Sequence, residues 1–518
     1  KTDPVVNISY DNNQARNGNQ FKADRVATIS VTEHNFKAED VSINIGSDAL
    51  VVAKDNMGND VAVADYVSYL KDRNNWIDNG DIHVANISFT EEANYTFEYV
   101  YTDLVGRTSG SDYGISTAPT LFTIDKTAPT GDITIGNWSS SLNGSIWNQY
   151  LSTMSFSLYS SEAVDVTINS ADALSNIEAV QYYRTSEILT EGQLKNIAQE
   201  LWVTSQNGNI EFTVEPDEQF VVYAHVIDRA GNEIYISSDG VVVDKTAPLT
   251  TRHAAEIAIN PEQPINGIYN SDVKVDVTVE DPITNGIVYS GIKTVSYNVY
   301  NMGESTQEGV LYSQEDGEHS KAQLVHNWSQ DGCIVIDSEL NNSNNVEVEV
   351  TVIDNSGNQT SNVISVKIDR TAPIINVSYD NNNGDTSFGE QIFFKEERTA
   401  TIAITERNFN ADQVVMTIEN TDGTAPIISD WSIQEGTGNG DDTVHTVTVN
   451  YYADGDYTFD ISFSDEAGNV NEEVRYDDSL APKEFTVDMT VPEIEVQYDN
   501  NNAANNNYYN QTRVGTVT

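Results

Sequence analysis

One phrase recurs along this chain at a nearly fixed interval, and no single compact domain accommodates it. Phe122 to Pro129 reads FTIDKTAP, Val241 to Pro248 reads VVVDKTAP, Val366 to Pro373 reads VKIDRTAP, Phe485 to Pro492 reads FTVDMTVP, and the chain opens on KTDP. The prolines at 4, 129, 248, 373 and 492 fall 119 or 125 residues apart, which is the length of a domain and the mark of an array. Apolar and β-branched residues alternate up to the Asp; the Pro then removes a backbone donor and biases its predecessor towards extended geometry. The phrase therefore ends one unit and starts the next. The expected units are 1–128, 129–247, 248–372 and 373–491, with 492–518 opening a fifth that is expected to continue beyond Thr518. A linker of a few residues without a Gly/Ser spacer brings neighbouring units into contact.

A second landmark precedes each phrase: DLVGR (Asp103 to Arg107), DRAGN (Asp228 to Asn232), DNSGN (Asp354 to Asn358) and DEAGN (Asp465 to Asn469). Gly supplies positive φ and the Asp side chain caps the turn. The runs before it, such as VEVEVTVID (Val346 to Asp354) and YTFDISFSD (Tyr457 to Asp465), alternate with period two, so each unit ends as strand, tight hairpin, last strand and exit. The same alternation returns near the unit starts in RVATISVTE (Arg25 to Glu33), DVKVDVTVE (Asp272 to Glu280) and RTATIAITE (Arg398 to Glu406). Many short alternating strands with turns between them make a β-sandwich.

The units are of two kinds. ISYDNN (Ile8 to Asn13) matches VSYDNN (Val377 to Asn382), TEHNF (Thr32 to Phe36) matches TERNF (Thr405 to Phe409), and Trp76 pairs with Trp431; the fifth opens likewise on VQYDNN (Val496 to Asn501). The second and third lack these phrases, giving an order A, B, B, A, A. In the second, LTEGQLKNIAQELW (Leu189 to Trp202) reads as a short helix, with Thr190 as N-cap, Gln193 three residues on, and Leu194, Ile197, Ala198 and Leu201 on one face. Tyr95 and Tyr457 head the penultimate strands, where sandwiches place a corner tyrosine whose hydroxyl bonds the backbone a few residues upstream.

Composition narrows the function classes. Lys and Arg total 26 against 80 Asp and Glu, a formal charge of −54, which repels nucleic-acid phosphates and anionic membranes. No apolar run approaches the length of a membrane span, and KTDPVV carries no signal-peptide pattern. Cys333 is the sole cysteine, so no internal disulfide forms, and it reads as a small core residue. Neither a phosphate-gripping glycine loop nor a nucleophile elbow is present, and the seven histidines form no ligand cluster.

With DKTAP at the exit and D-x-x-G-N in the last hairpin, the chain resembles the bacterial immunoglobulin-like (Big-type) repeats of large Gram-positive cell-surface proteins. The resemblance implies an all-β fold of tandem immunoglobulin-like β-sandwiches. It also implies a secreted, cell-surface setting and an adhesin-like, non-catalytic role as stalk and interaction module. A host protein, mucosal immunoglobulin included, or a glycan is the implied partner; accessory domains of a large glycosidase are the weaker alternative. The chain itself is expected to be a monomeric, elongated string with no required cofactor.

Three residue sets are candidates for a site. The run D-N-N-N-G-D from Asp380 to Asp385 approaches the spacing of calcium loops, with Asp380, Asn382 and Asp385 as ligands, against the simpler reading of an Asx-rich turn. The exit aspartates Asp125, Asp244, Asp369 and Asp488 offer to join such a site from across a junction, or more simply cap the exit turn. Tyr182, Tyr183 and Trp202 are candidate anchors for a binding partner, against plain core packing.

Overall fold

The computed structural model describes residues 2–47, 52–54, 59–62, 66–109, 121–140, 142–143, 156–205, 208–248, 258–261, 263–264, 266–282, 290–314, 326–421 and 424–518. The chain is a succession of two-sheet β-sandwiches. In the first, Arg25–Thr32 lies between Val5–Tyr10 and Ile82–Phe89, and the facing sheet is built on Ala93–Thr102, flanked by Val41–Ser47 and Leu121–Ile124. The fourth repeats this arrangement: Arg398–Thr405 lies between Ile374–Tyr379 and Val444–Tyr451, opposite a sheet of Val414–Asn420, Gly455–Phe463, Glu484–Val487 and Phe393–Phe394. In the second, Val164–Ala171 pairs with Thr130–Ile135 and Ile210–Val214, and Glu218–Asp228 carries the other sheet. In the third, Val273–Glu280 pairs with Asn327–Ile336 against a sheet of Glu304–Ser313, Ile292–Asn301, Val346–Asp354 and Gln359–Val366.

Period-two patterning explains each sandwich. Along Arg398–Thr405 and Val346–Asp354 every second residue is buried, so each strand turns one face to its core and the other outward. The cores are separate clusters: Ile29, Ile87 and Phe97 in the first unit, Val166, Val222 and Val241 in the second, Val277, Val295 and Val350 in the third, Ile402, Val449 and Phe459 in the fourth. Cys333 is half-buried against the third core. No helix among the described residues is long and apolar enough to cross a membrane.

Every exit strand finishes the same way. Leu121–Ile124, Gly240–Val243 and Glu484–Val487 each run parallel to a short segment near the unit's start, and Ile368 makes the matching parallel bridge to Tyr269. The next residue is always the exit Asp, whose amide closes the ladder: Asp125 N to Phe21 O at 2.8 Å, Asp244 N to Ser160 O at 2.8 Å, Asp369 N to Tyr269 O at 2.7 Å and Asp488 N to Phe394 O at 2.8 Å. The ladder fixes where the aspartate side chain sits: at the base of one sandwich, facing the next.

The YDNN phrase of the A-type units turns out to build a socket for a buried arginine. Arg25 lies over the rings of Tyr10 and Phe21 at 3.8 and 3.9 Å, and Arg398 over Tyr379 and Phe394 at 3.7 and 4.1 Å. Burial lowers both guanidinium groups to about 10, and cation–π contact with carbonyl acceptors takes the place of a counter-ion. The Nε groups of Arg25, Arg398 and Arg513 donate to the carbonyls of Asn12, Asn381 and Asn500 at 2.9, 3.0 and 2.8 Å. The match of Trp76 with Trp431 also holds: Phe36 meets Trp76 at 4.7 Å and stacks on His83, while Phe409 meets Trp431 at 4.8 Å and stacks on His445.

The corner tyrosines are in place. Tyr95 Oη donates to Glu91 O at 2.8 Å and Tyr457 Oη to Ala453 O at 2.9 Å, both rings being buried. The insertion in the second unit is shorter as a helix than its pattern suggests. Thr190 and Gln193 form the expected capping box, but the α-helix covers only Glu191–Leu194, followed by a 3₁₀ turn at Gln199–Leu201. Leu194 is buried and Ile197 packs beside it, whereas Ala198 and Leu201 are exposed. One helical turn is too short to keep a 3.6-residue stripe, and Trp202 takes the burial instead. A second short helix, Tyr66–Lys71, lies in the first unit; its carbonyl at Leu70 accepts from Trp76 Nε1 at 2.7 Å.

Candidate functional site

The functional geometry lies at the junctions, where three acids from two successive units meet. Asp125 meets Asp172 and Asp228, Asp244 meets Asp281 and Asp354, and Asp369 meets Glu406 and Asp465, with one ligand-capable oxygen of each residue within 4.8 Å of the others in its group. The positions correspond in all three. The first acid is the exit Asp, and the last is the Asp of the next unit's D-x-x-G-N hairpin. The middle one is the residue directly after the strand Val164–Ala171, Val273–Glu280 or Arg398–Thr405.

The exit Asp caps the exit turn, as expected, and also bonds the following unit. Asp244 Oδ1 accepts from Thr246 N at 2.9 Å, capping the exit turn, while Oδ2 accepts from Ser290 N at 2.9 Å and Ser290 Oγ at 2.7 Å in the next unit. Asp125 does likewise, with Thr127 N at 3.2 Å and Ser175 N at 3.0 Å. The hairpin Asp is pinned by its own Asn: in Asp354, Oδ1 accepts from Asn358 N and Oδ2 from Asn358 Nδ2, each at 2.8 Å. That same amide then bonds the exit residue's carbonyl. Asn232 Nδ2 reaches Asp125 O at 2.9 Å, Asn358 Nδ2 reaches Asp244 O at 2.8 Å and Asn469 Nδ2 reaches Asp369 O at 2.9 Å. In the first unit Arg107 stands where the Asn would be, its Nε on Asp103 at 2.8 Å.

The three groups differ in what balances their charge. Asp244, Asp281 and Asp354 are all fully buried, and no guanidinium or ammonium group pairs with them among the described residues. Burial, reinforced by Asp244 and Asp354, pushes the Asp281 carboxyl up to about 8, and burial pushes Asp354 up to about 6. Asp281 Oδ2 accepts from Gly291 N at 2.5 Å, but Oδ1 has no partner among the described residues. The neighbouring His326, whose carbonyl accepts from Asp281 N, is itself held below the usual imidazole range by burial.

At the third junction an arginine enters. Arg407 Nη2 lies 2.9 Å from Asp369 Oδ1 with almost no exposure of either side chain, and Arg407 also donates to Ile368 O at 2.7 Å and pairs with Asp441. Asn408 Nδ2 donates to Asp369 Oδ2. Burial still raises Glu406, whose Oε2 has no partner among the described residues. The first junction is more open: Asp172 is half-buried, and a cleft of about 330 Å³ lies beside Asp125 and Asp172.

The structure gives the oxygens of the D-N-N-N-G-D run other partners. Asp380 Oδ1 accepts from Thr399 N at 2.7 Å, as Asp11 does from Val26 N and Asp499 from Val514 N, so this Asp belongs to the arginine socket. Asn382 Oδ1 accepts from Arg398 Nη2 at 3.3 Å and Leu480 N at 3.1 Å, and Asp385 Oδ1 accepts from Ser387 N at 2.9 Å. Each of the three thus has hydrogen-bond partners of its own. Tyr182, Tyr183 and Trp202 do not share one surface. Tyr182 stacks on Phe212 at 4.4 Å beside the sandwich core, while Tyr183 tilts against Trp202 at 5.9 Å in the cluster under the helical insertion. Trp202 is buried there with Leu189 and Leu194.

No family model matches the chain, and no curated protein matches it. Among solved structures it is similar to a tetra-tandem repeat from the extending region of a large adhesion protein, at 16% identity over 94% of this chain and 100% of that one, with a TM-score of 0.33. It is similar to the Escherichia coli adhesin FdeC at 10% identity over 94% and 96% of the two chains, with a TM-score of 0.21. A membrane-anchored protein of Corynebacterium diphtheriae follows at 10% identity over 71% and 98%, with a TM-score of 0.17. At these scores the likenesses carry no argument, and the reading of this chain rests on its own geometry.

Proposed function

We propose that this chain is a non-catalytic stalk segment of a bacterial cell-surface protein, adhesin-like in character, which holds other parts of its molecule away from the cell. The observation that carries this reading is the recurrence of one clamp at three successive junctions, where the hairpin Asn of each unit bonds the exit carbonyl of the unit before it. A chain whose units had only to be tethered would need no such bond. A repeated, half-buried connection instead fixes each sandwich on its predecessor and passes load along the backbone. The resemblance of the DKTAP and D-x-x-G-N phrases to surface-protein repeats supports the same setting. The high acid content keeps such a chain soluble and separate from anionic surfaces.

Small-angle X-ray scattering tests the reading. Four sandwiches in line, each ~40 Å long from strands of up to about ten residues at ~3.3 Å, give a particle of roughly 160 Å. A maximum dimension of roughly half that length, from units folded back on one another, overturns the stalk.

A further inference from the structure

The geometry points to a divalent-cation site at the junction of the second and third sandwiches, formed by Asp244, Asp281 and Asp354 and selective for calcium. It goes beyond the stalk reading and holds whatever the chain carries. Three carboxylates taken out of water with no basic partner repel one another, and a buried charge persists only when paired or bound to a metal. The donors around them favour the ionised forms: Thr246 N, Ser290 N and Oγ, Gly291 N and both nitrogens of Asn358 all point at these carboxylates. The arrangement is thus prepared for negative charge, and among the described residues no positive charge matches it.

The independent mark of a ligand is Asp281 Oδ1, which is completely buried and has no hydrogen-bond partner among the described residues. An orphaned acceptor of this kind destabilises the fold unless something binds it. All of the clustered groups are carboxylates, without His or Cys, and this donor set suits a hard cation. Calcium is preferred over magnesium because carboxylates held at fixed angles by backbone donors suit its flexible, partly bidentate coordination better than a strict octahedron.

The third junction supplies the contrast. Its acids occupy the same positions, but Arg407 sits on Asp369 and brings its own positive charge. The same architecture thus carries one internal counter-charge at the third junction, with Glu406 still raised by burial, and none among the described residues at the second.

The test uses the whole chain, comparing wild type with Asp281→Asn in calcium, in magnesium and in chelator. Native mass spectrometry counts bound ions, and calorimetric scans follow the unfolding transitions. Millimolar calcium is expected to raise the melting temperature of one transition by roughly 5–15 °C, and Asp281→Asn is expected to bind one calcium ion fewer and lose that shift. In chelator the variant, relieved of a carboxyl group that is costly to bury in ionised form, should melt no lower than wild type. Should it fail to fold, Asp244→Asn is read in the same way. An unshifted wild type in calcium, an unchanged ion count in the variant, or an equal response to magnesium overturns the assignment.

Discussion

Asn358 Nδ2 bonds both the Asp354 carboxylate beside it and the carbonyl of Asp244, 114 residues earlier in the chain. A single side chain thereby ties the last hairpin of the third sandwich to the last strand of the second. Asn358→Ala leaves a buried carboxylate oxygen and a junction carbonyl short of a donor. The expected loss is about 1–3 kcal/mol, read as a lower urea midpoint for the affected transition; an unchanged midpoint would show that the clamp is incidental.

Arg407 is expected to decide whether the third junction responds to cations. Arg407→Gln removes the positive charge that pairs with Asp369 and leaves the three acids to their mutual repulsion, costing about 3 kcal/mol in chelator. Calcium should recover much of that loss in the variant while doing little for the same junction in wild type. Melting scans of both proteins with and without calcium make the comparison, and a variant indifferent to calcium would contradict it.

The pH response without cations has a definite sign. Asp281 and Asp354 are pushed up to about 8 and about 6 by burial, so the folded protein holds protons that the unfolded chain releases near pH 4. The stability they contribute is complete below that pH and is lost as pH rises through about 6 to 8. In chelator the melting temperature of the third unit should therefore be lower at pH 8 than at pH 5. Calcium, which binds the ionised carboxylates, should flatten or invert this trend. A rising profile in chelator would refute it.

Tyr457 offers a test of the sandwich corner. Its hydroxyl donates towards Ala453 O at 2.9 Å and also lies 3.2 Å from Thr424 O. Tyr457→Phe keeps the ring packed against Phe485 and Tyr451 but removes the bond. The fourth unit should lose about 0.5–1.5 kcal/mol, measured by chemical denaturation against wild type.

The array, the alternating strands, the corner tyrosines and the kinship of the first and fourth units were all legible in the sequence. Each is a local pattern repeated at a fixed distance, and repetition needs no knowledge of the fold. What the sequence could not show was which acids meet. Among 80 Asp and Glu residues the eye is drawn to the dense D-N-N-N-G-D run, yet Asp380 and Asn382 are occupied by Arg398 and the strand it begins. The acids that converge, Asp244, Asp281 and Asp354, come from an exit strand, a strand end and a hairpin far apart in the chain. A signal was present, since an acid follows directly after the same strand in each unit. Its meaning, however, depends on one sandwich seating its loops against the base of another. Only that packing removes the carboxylates from water, and burial is what turns a common surface residue into a charge that must be matched.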